Sequence, residues 1–154
     1  MNDRAPAPPQ PVSPEKRAAF FVAKLACETD PSDVYAALQE GARFTLVDVR
    51  AQDAWDQGHI PGAIHLPHRE IAERGAAEID PSLPVVVYCW SPGCNGGARG
   101  ALAFARLGYE VREMIGGYEY WAREGMPVDS ASGTLPRVFD PLVMPVRDRS
   151  RLRA

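Results

Sequence analysis

The chain has 154 residues, enough for one domain around one core, and its 45% hydrophobic and 24% charged content is ordinary for a globular protein in water. A net charge of −3 gives the molecule as a whole no electrostatic reason to seek nucleic acid or an anionic membrane. No apolar run approaches the roughly 18 residues of a membrane span. The N-terminus, MNDRAPAPPQPVSPEKR, lacks the apolar segment of a secretory signal, so a cytoplasmic location is expected. Cys27, Cys89 and Cys94 make no disulfide framework and are expected mainly as thiols in a reducing compartment, unless catalysis or oxidation changes them. They show no zinc-ligand spacing with the three histidines, and neither metal nor cofactor is expected.

Residues 1–14 carry five prolines and have little to bury, so this segment is expected to be extended or disordered. Ser13-Pro14-Glu15 reads as a helix start, and PEKRAAFFVAKLACE follows with Cys27 on its apolar face, where a core position is expected. PSDVYAALQEG is a second helix, capped by Asp30 or Ser32 and stopped by Gly41. RFTLVDVR is a strand, AQDAWDQG about two turns of helix, and HIPGAIHLP a turn leading to a short strand. HREIAERGAAEI is mostly helix. VVVYC is a continuous apolar strand of the kind buried on both faces. ARGALAFARLG is a helix through Leu102, Phe104 and Leu107; YEVREMI is a strand; GGYEYWAREG is a short helix. Strands alternating with short helices imply an α/β sandwich with a mainly parallel sheet. The segment after Pro127 has no strong periodicity, and its last 18 residues hold five arginines against two aspartates. A solvated arm is the expected state of that tail.

In a parallel sheet, ligands bind beyond the carboxyl ends of the strands. Cys89 stands at such an end, followed by WSPGCNGG and a helix. Gly93, Gly96 and Gly97 let backbone amides converge, and the helix N-terminus adds partial positive charge. Trp90, Ser91 and Asn95 complete this loop, and Arg99 in the first helical turn can add a fixed charge. A thiol facing such an anion cradle is a candidate nucleophile. A strand-end cysteine also serves as a small hydrophobe, and a phosphate loop would use the same geometry. The Lys-[Ser/Thr] of a nucleotide site is absent, which counts against the phosphate loop.

Two stretches carry a family resemblance. LVDVRAQDAWDQGHIPGAIHLPHREI resembles the first signature of rhodanese-like sulfurtransferase domains, Asp-x-Arg, a short helix, then Gly-His-Ile-Pro-Gly-Ala. VVVYC, its loop, ALAFARLGYEV and IGGYEYWAREGMPV resemble the second. Together they span residues 44–128. The resemblance implies a rhodanese-like three-layer sandwich over residues 42–128, with a helical extension at 15–41 and a tail at 129–154. It implies that Cys89 takes a sulfane sulfur from a donor such as thiosulfate, becomes a persulfide stabilised by the loop amides, and passes the sulfur to a thiol or cyanide-like acceptor. Asp48 and Arg50 match the first signature and are expected to brace the loop side of the sheet or to form a structural ion pair. His59 is expected to stabilise its turn, and Trp121 to pack into the core. A homodimer or a protein sulfur acceptor is compatible with this reading.

The loop departs from the commoner family pattern. From Cys89 to Gly108 it is about two residues longer, and no Arg or Lys stands between Cys89 and Arg99. A regulatory, catalytically idle module and a cysteine phosphatase or arsenate reductase are the alternatives. CNGGAR also places Cys94 four residues before Arg99, but choosing Cys94 as nucleophile would leave the helix short. With Cys89 as nucleophile, Cys94 is either a resolving thiol, which attacks the Cys89 persulfide or forms a reversible disulfide, or a loop residue that shapes the pocket.

Overall fold

The computed structural model describes residues 11–138 and 140–143. Its centre is a five-stranded parallel sheet made of Glu28–Thr29 (β1), Thr45–Asp48 (β2), Ile64–His65 (β3), Val85–Tyr88 (β4) and Val111–Met114 (β5), in the order β1-β5-β4-β2-β3. The helices are Pro14–Cys27 (α1), Pro31–Gln39 (α2), Gln52–Gln57 (α3), Ile71–Glu78 (α4), Gly96–Arg106 (α5) and Gly117–Arg123 (α6). The α/β sandwich read from the alternation of strands and helices is the fold observed.

Two apolar clusters explain the three layers. Side chains alternate across a strand. Val85, Val87 and Cys89 therefore join Ile71 of α4 and Phe104 of α5 on one side of the sheet. Val86 and Tyr88 join Val34 of α2 and Trp121 of α6 on the other. This is why VVVY has no polar position: all four residues are buried. The same alternation places Cys89, one residue past β4, beneath the start of α5. Gly100 lets α5 lie close on the sheet, since a side chain there would meet Val49 at 2.9 Å.

The N-terminal region differs from expectation in two ways. Helix α1 starts as anticipated, with the Ser13 hydroxyl accepting from the Lys16 amide at 3.3 Å. None of its residues is buried, however, and Phe20, Phe21, Val22 and Leu25 all remain more than half exposed. Cys27 is consequently exposed rather than in the core. The physical reason is position: α1 leads into β1, the outermost strand, and among the described residues no layer extends beyond that edge to cover it. β1 itself is a further addition, a two-residue strand paired parallel to β5 through Glu28–Glu113 and Thr29–Met114. α2 is capped by Asp30, whose carboxylate accepts from the Asp33 amide at 2.9 Å, and it buries Val34.

Two smaller features complete the fold. α5 begins at Gly96, two residues before the expected start, and Leu102 lies on its outer, exposed face. Past Pro127, Asp129–Ser130 (β6) and Gly133–Thr134 (β7) form an unanticipated hairpin, joined to the His59 backbone through Asp129. The proline-rich residues 1–10 and residues 144–154 of the Arg-rich end lie outside the described residues.

Candidate active site

Cys89 is buried at the carboxyl end of β4, 8% exposed. The chain then leaves the sheet in a loop held from three directions. The Cys94 amide donates to the Ser91 carbonyl at 3.0 Å, which turns the loop back on itself. The amides of Tyr118 and Glu119, at the start of α6, donate to the carbonyls of Cys89 and Trp90 at 2.9 and 2.8 Å. That approach needs Gly117: its φ is +58°, and a side chain there would meet the Cys89 carbonyl oxygen at 2.5 Å. The third hold is Arg50.

Asp48 and Arg50 form a fully buried ion pair, with Nη2 2.6 Å from the Asp48 carboxylate and Nε at 2.9 Å. The Asp48 carboxylate also accepts from the Arg50 amide at 3.0 Å, and the Tyr88 hydroxyl accepts from the Ile60 amide at 3.1 Å. Arg50 Nη2 donates to the Gly58 carbonyl at 2.6 Å. The guanidinium carbon lies 4.4 Å from the Trp90 ring centroid and 4.3 Å from that of Tyr118. The pair therefore acts as a brace: Trp90, the residue after the nucleophile candidate, rests on a cation that β2 holds in place. Burial raises the Tyr88 hydroxyl far above its usual range, reinforced by the Asp48 charge, so it remains neutral.

The folded-back loop places Cys94 against Cys89. The two are joined as a disulfide, with Cα atoms 6.5 Å apart. Proximity of the two sulfurs is what a resolving or reversibly paired Cys94 requires, and the Ser91–Cys94 turn supplies it by bringing together residues five apart in sequence. Gly96 makes room for both sulfurs, since a side chain there would meet Cys89 Sγ at 2.6 Å and Cys94 Sγ at 3.4 Å. We expect Gly96→Ala to displace the Cys89 sulfur and to slow its alkylation by iodoacetamide in the reduced protein by tenfold or so, about 1.4 kcal/mol in barrier. An unchanged alkylation rate would show that the seat is looser than this packing implies.

Beyond the sulfurs opens a cavity of about 760 Å³, lined on the loop side by Cys89, Ser91, Gly93, Cys94 and Asn95. Its other walls carry Glu28, Asp30, Glu113 and Glu124, opposed by Lys24. Lys24 is ion-paired with Glu28. These charges were not legible in the loop sequence, and they alter the anticipated anion cradle. At the start of α5, Gly96 N–H donates to Cys94 Sγ at 3.4 Å, and the Ala98 amide favours the charged form of the Glu113 carboxyl. Burial and the adjacent Glu28 raise Glu113 above the usual carboxylate range, against the Ala98 amide and Lys24. Burial also raises Glu124, with Asp30 adding to it and the Ser32 hydroxyl opposing.

The remaining predicted residues separate. Gly97 is buried under α5, where a side chain would collide with Glu113. Trp90 turns away from the cavity toward Arg50 and Tyr118. Arg99 also faces elsewhere: its Nε donates to Asn95 Oδ1 at 3.2 Å, and it lines a shallow groove with His68, Arg69 and Arg106. The reason is helical phase, since residues 96 and 97 face the sheet while 99 points outward. His59 bonds the Trp55 carbonyl through Nδ1 at 3.0 Å and stacks on the Trp55 ring, as a turn-stabilising residue does. Trp121 is buried, its indole N–H donating to the Pro127 carbonyl at 2.7 Å.

Residues 30–124 match the rhodanese-like domain family. The thiosulfate sulfurtransferase GlpE of Pseudomonas aeruginosa is 33% identical over 105 residues, which cover 67% of this chain and 89% of that protein. An HTH-type transcriptional regulator of Mycobacterium tuberculosis is 39% identical over 95 residues, 61% of this chain; the match spans 41% of the regulator's length. Among solved structures, the BH2092 protein from Bacillus halodurans has a TM-score of 0.72 at 31% identity, covering 90% of this chain and 96% of that one.

Proposed function

This chain belongs to the rhodanese-like domain family, and from that premise we propose that it transfers a sulfane sulfur through a persulfide on Cys89. The observation that carries the proposal is the seat of Cys89: buried at the end of β4, under the start of α5, and open to a cavity large enough for a small donor. In the first step the Cys89 thiolate attacks the outer sulfur of the donor, and the rest of the donor leaves with its electron pair. With thiosulfate the leaving group is sulfite. A thiophilic acceptor then attacks the sulfur held on Cys89. The loop, clamped by α6 and Arg50, holds the nucleophile in place during both steps.

The test is donor cleavage by the reduced protein in the absence of an acceptor. Thiosulfate should release sulfite, and a singly charged persulfide such as cysteine persulfide should release its thiol, in a burst stoichiometric with protein. Absence of cleavage with both donors would overturn the assignment.

The cavity charges bear on donor choice. Glu28, Asp30, Glu113 and Glu124 repel a dianion. Glu113→Gln keeps the shape and removes one charge. We expect it to raise kcat/KM for thiosulfate by roughly tenfold or somewhat less, with a much smaller change for cysteine persulfide. An equal change for both donors would show that charge at this position does not select between them.

A further inference from the structure

We propose that Cys89 and Cys94 are a working dithiol: Cys94 resolves the Cys89 persulfide, hydrogen sulfide is released, and a dithiol reductant resets the pair. This rests on the persulfide assignment and names the acceptor class for that site, a reducing dithiol.

Four observations carry it. The sulfurs share one cavity and are joined, and their Cα separation of 6.5 Å is within the range that disulfides span without backbone movement. The Ser91–Cys94 backbone hydrogen bond holds the loop in the shape that points Cys94 back at Cys89. Gly96 keeps open the space that both sulfurs occupy. Its amide donates to Cys94 Sγ at the start of the eleven-residue α5, which stabilises negative charge on the attacking atom. Cys27, exposed on α1, has none of these features.

The chemistry balances. Cys94 thiolate attacks Cys89 Sγ; the Sγ–Sγ bond forms, the bond from Cys89 Sγ to the outer sulfur breaks, and that sulfur leaves as hydrosulfide with the persulfide's proton. The sulfane sulfur gains two electrons, and each cysteine sulfur supplies one. A dithiol reductant then attacks Cys94, the more exposed residue of the two, freeing Cys89 as thiol. The second thiol of the reductant releases Cys94, and the reductant leaves as its own disulfide. Effective molarities of well-oriented intramolecular reactions reach about 10⁵ M or more. Monothiols in solution therefore compete poorly with Cys94 for the persulfide.

The experiment takes full-length protein, reduced and desalted anaerobically, and adds one equivalent of thiosulfate or of cysteine persulfide without further thiol. Sulfide release and intact mass are recorded for wild type, Cys94→Ser and Cys94→Ala. Wild type is expected to release one sulfide per chain and to end lighter than the reduced protein by two hydrogens. Both variants are expected to cleave the donor, gain one sulfur atom, and release sulfide only when dithiothreitol is added. Wild type that keeps the added sulfur, or variants that release sulfide as wild type does, would overturn the resolving role while leaving the persulfide intact. Donor uncleaved by all three proteins would instead overturn the persulfide assignment, and this inference with it.

Discussion

Cys89→Ser is expected to lose donor cleavage by on the order of 10⁴-fold or more, the scale seen when a covalent nucleophile is removed. The serine hydroxyl is not ionised near neutral pH, and no histidine lines the cavity among the described residues to activate it. Oxygen also bonds poorly to sulfane sulfur compared with a second sulfur. Measured against the reduced wild type, stability should change little, because the substitution is nearly isosteric at the end of a strand and the loop clamps act through the backbone carbonyls of Cys89 and Trp90. The comparison with Cys94→Ser is informative, since that variant should still cleave the donor. Sulfite release by the Cys89→Ser protein at a rate within tenfold of wild type would move the nucleophile elsewhere.

Asp48→Ala is expected to cost about 3–5 kcal/mol of stability, the range for breaking a buried pair and leaving one charge uncompensated. Both side chains are fully buried, so water cannot replace the lost carboxylate. The Arg50 amide loses an acceptor in the same change. Part of the effect should reach the site, because Arg50 carries the Trp90 ring and through it the loop after Cys89. Urea denaturation measures the first part; donor cleavage under conditions where the variant remains folded measures the second. A loss below about 1 kcal/mol, the range of an exposed pair, would show that the surroundings relax around Arg50.

Much of the site is legible in the amino-acid sequence. The run of β-branched residues ending at Cys89, the glycines after it and the helix beyond are local patterns, and local patterns fold where they are read. Ser13 and Asp30 cap α1 and α2 as their side-chain chemistry requires. Asp48 and Arg50 lie two apart on one strand end, where the alternation of side chains directs both to the same side. A missed signal lay in YEVREMI: Glu113 shares strand parity with Val111, a residue packed on the α5 side, so a carboxylate there must approach the start of that helix.

The order of strands and helices, the strand-end thiol and its glycine-rich loop follow from the chain alone. Periodicity of two or 3.6 residues and turn chemistry are properties of neighbours along the chain. Packing in three dimensions decided the rest. It set Glu28 beside Glu113 by pairing β1 with β5, left Cys27 exposed at the sheet edge, turned Arg99 away, and brought Cys94 onto Cys89. Each of those outcomes depends on strand order, helical phase or the path of a loop. Such relations are set by how the layers bury their apolar faces against one another, and no short window of sequence contains them.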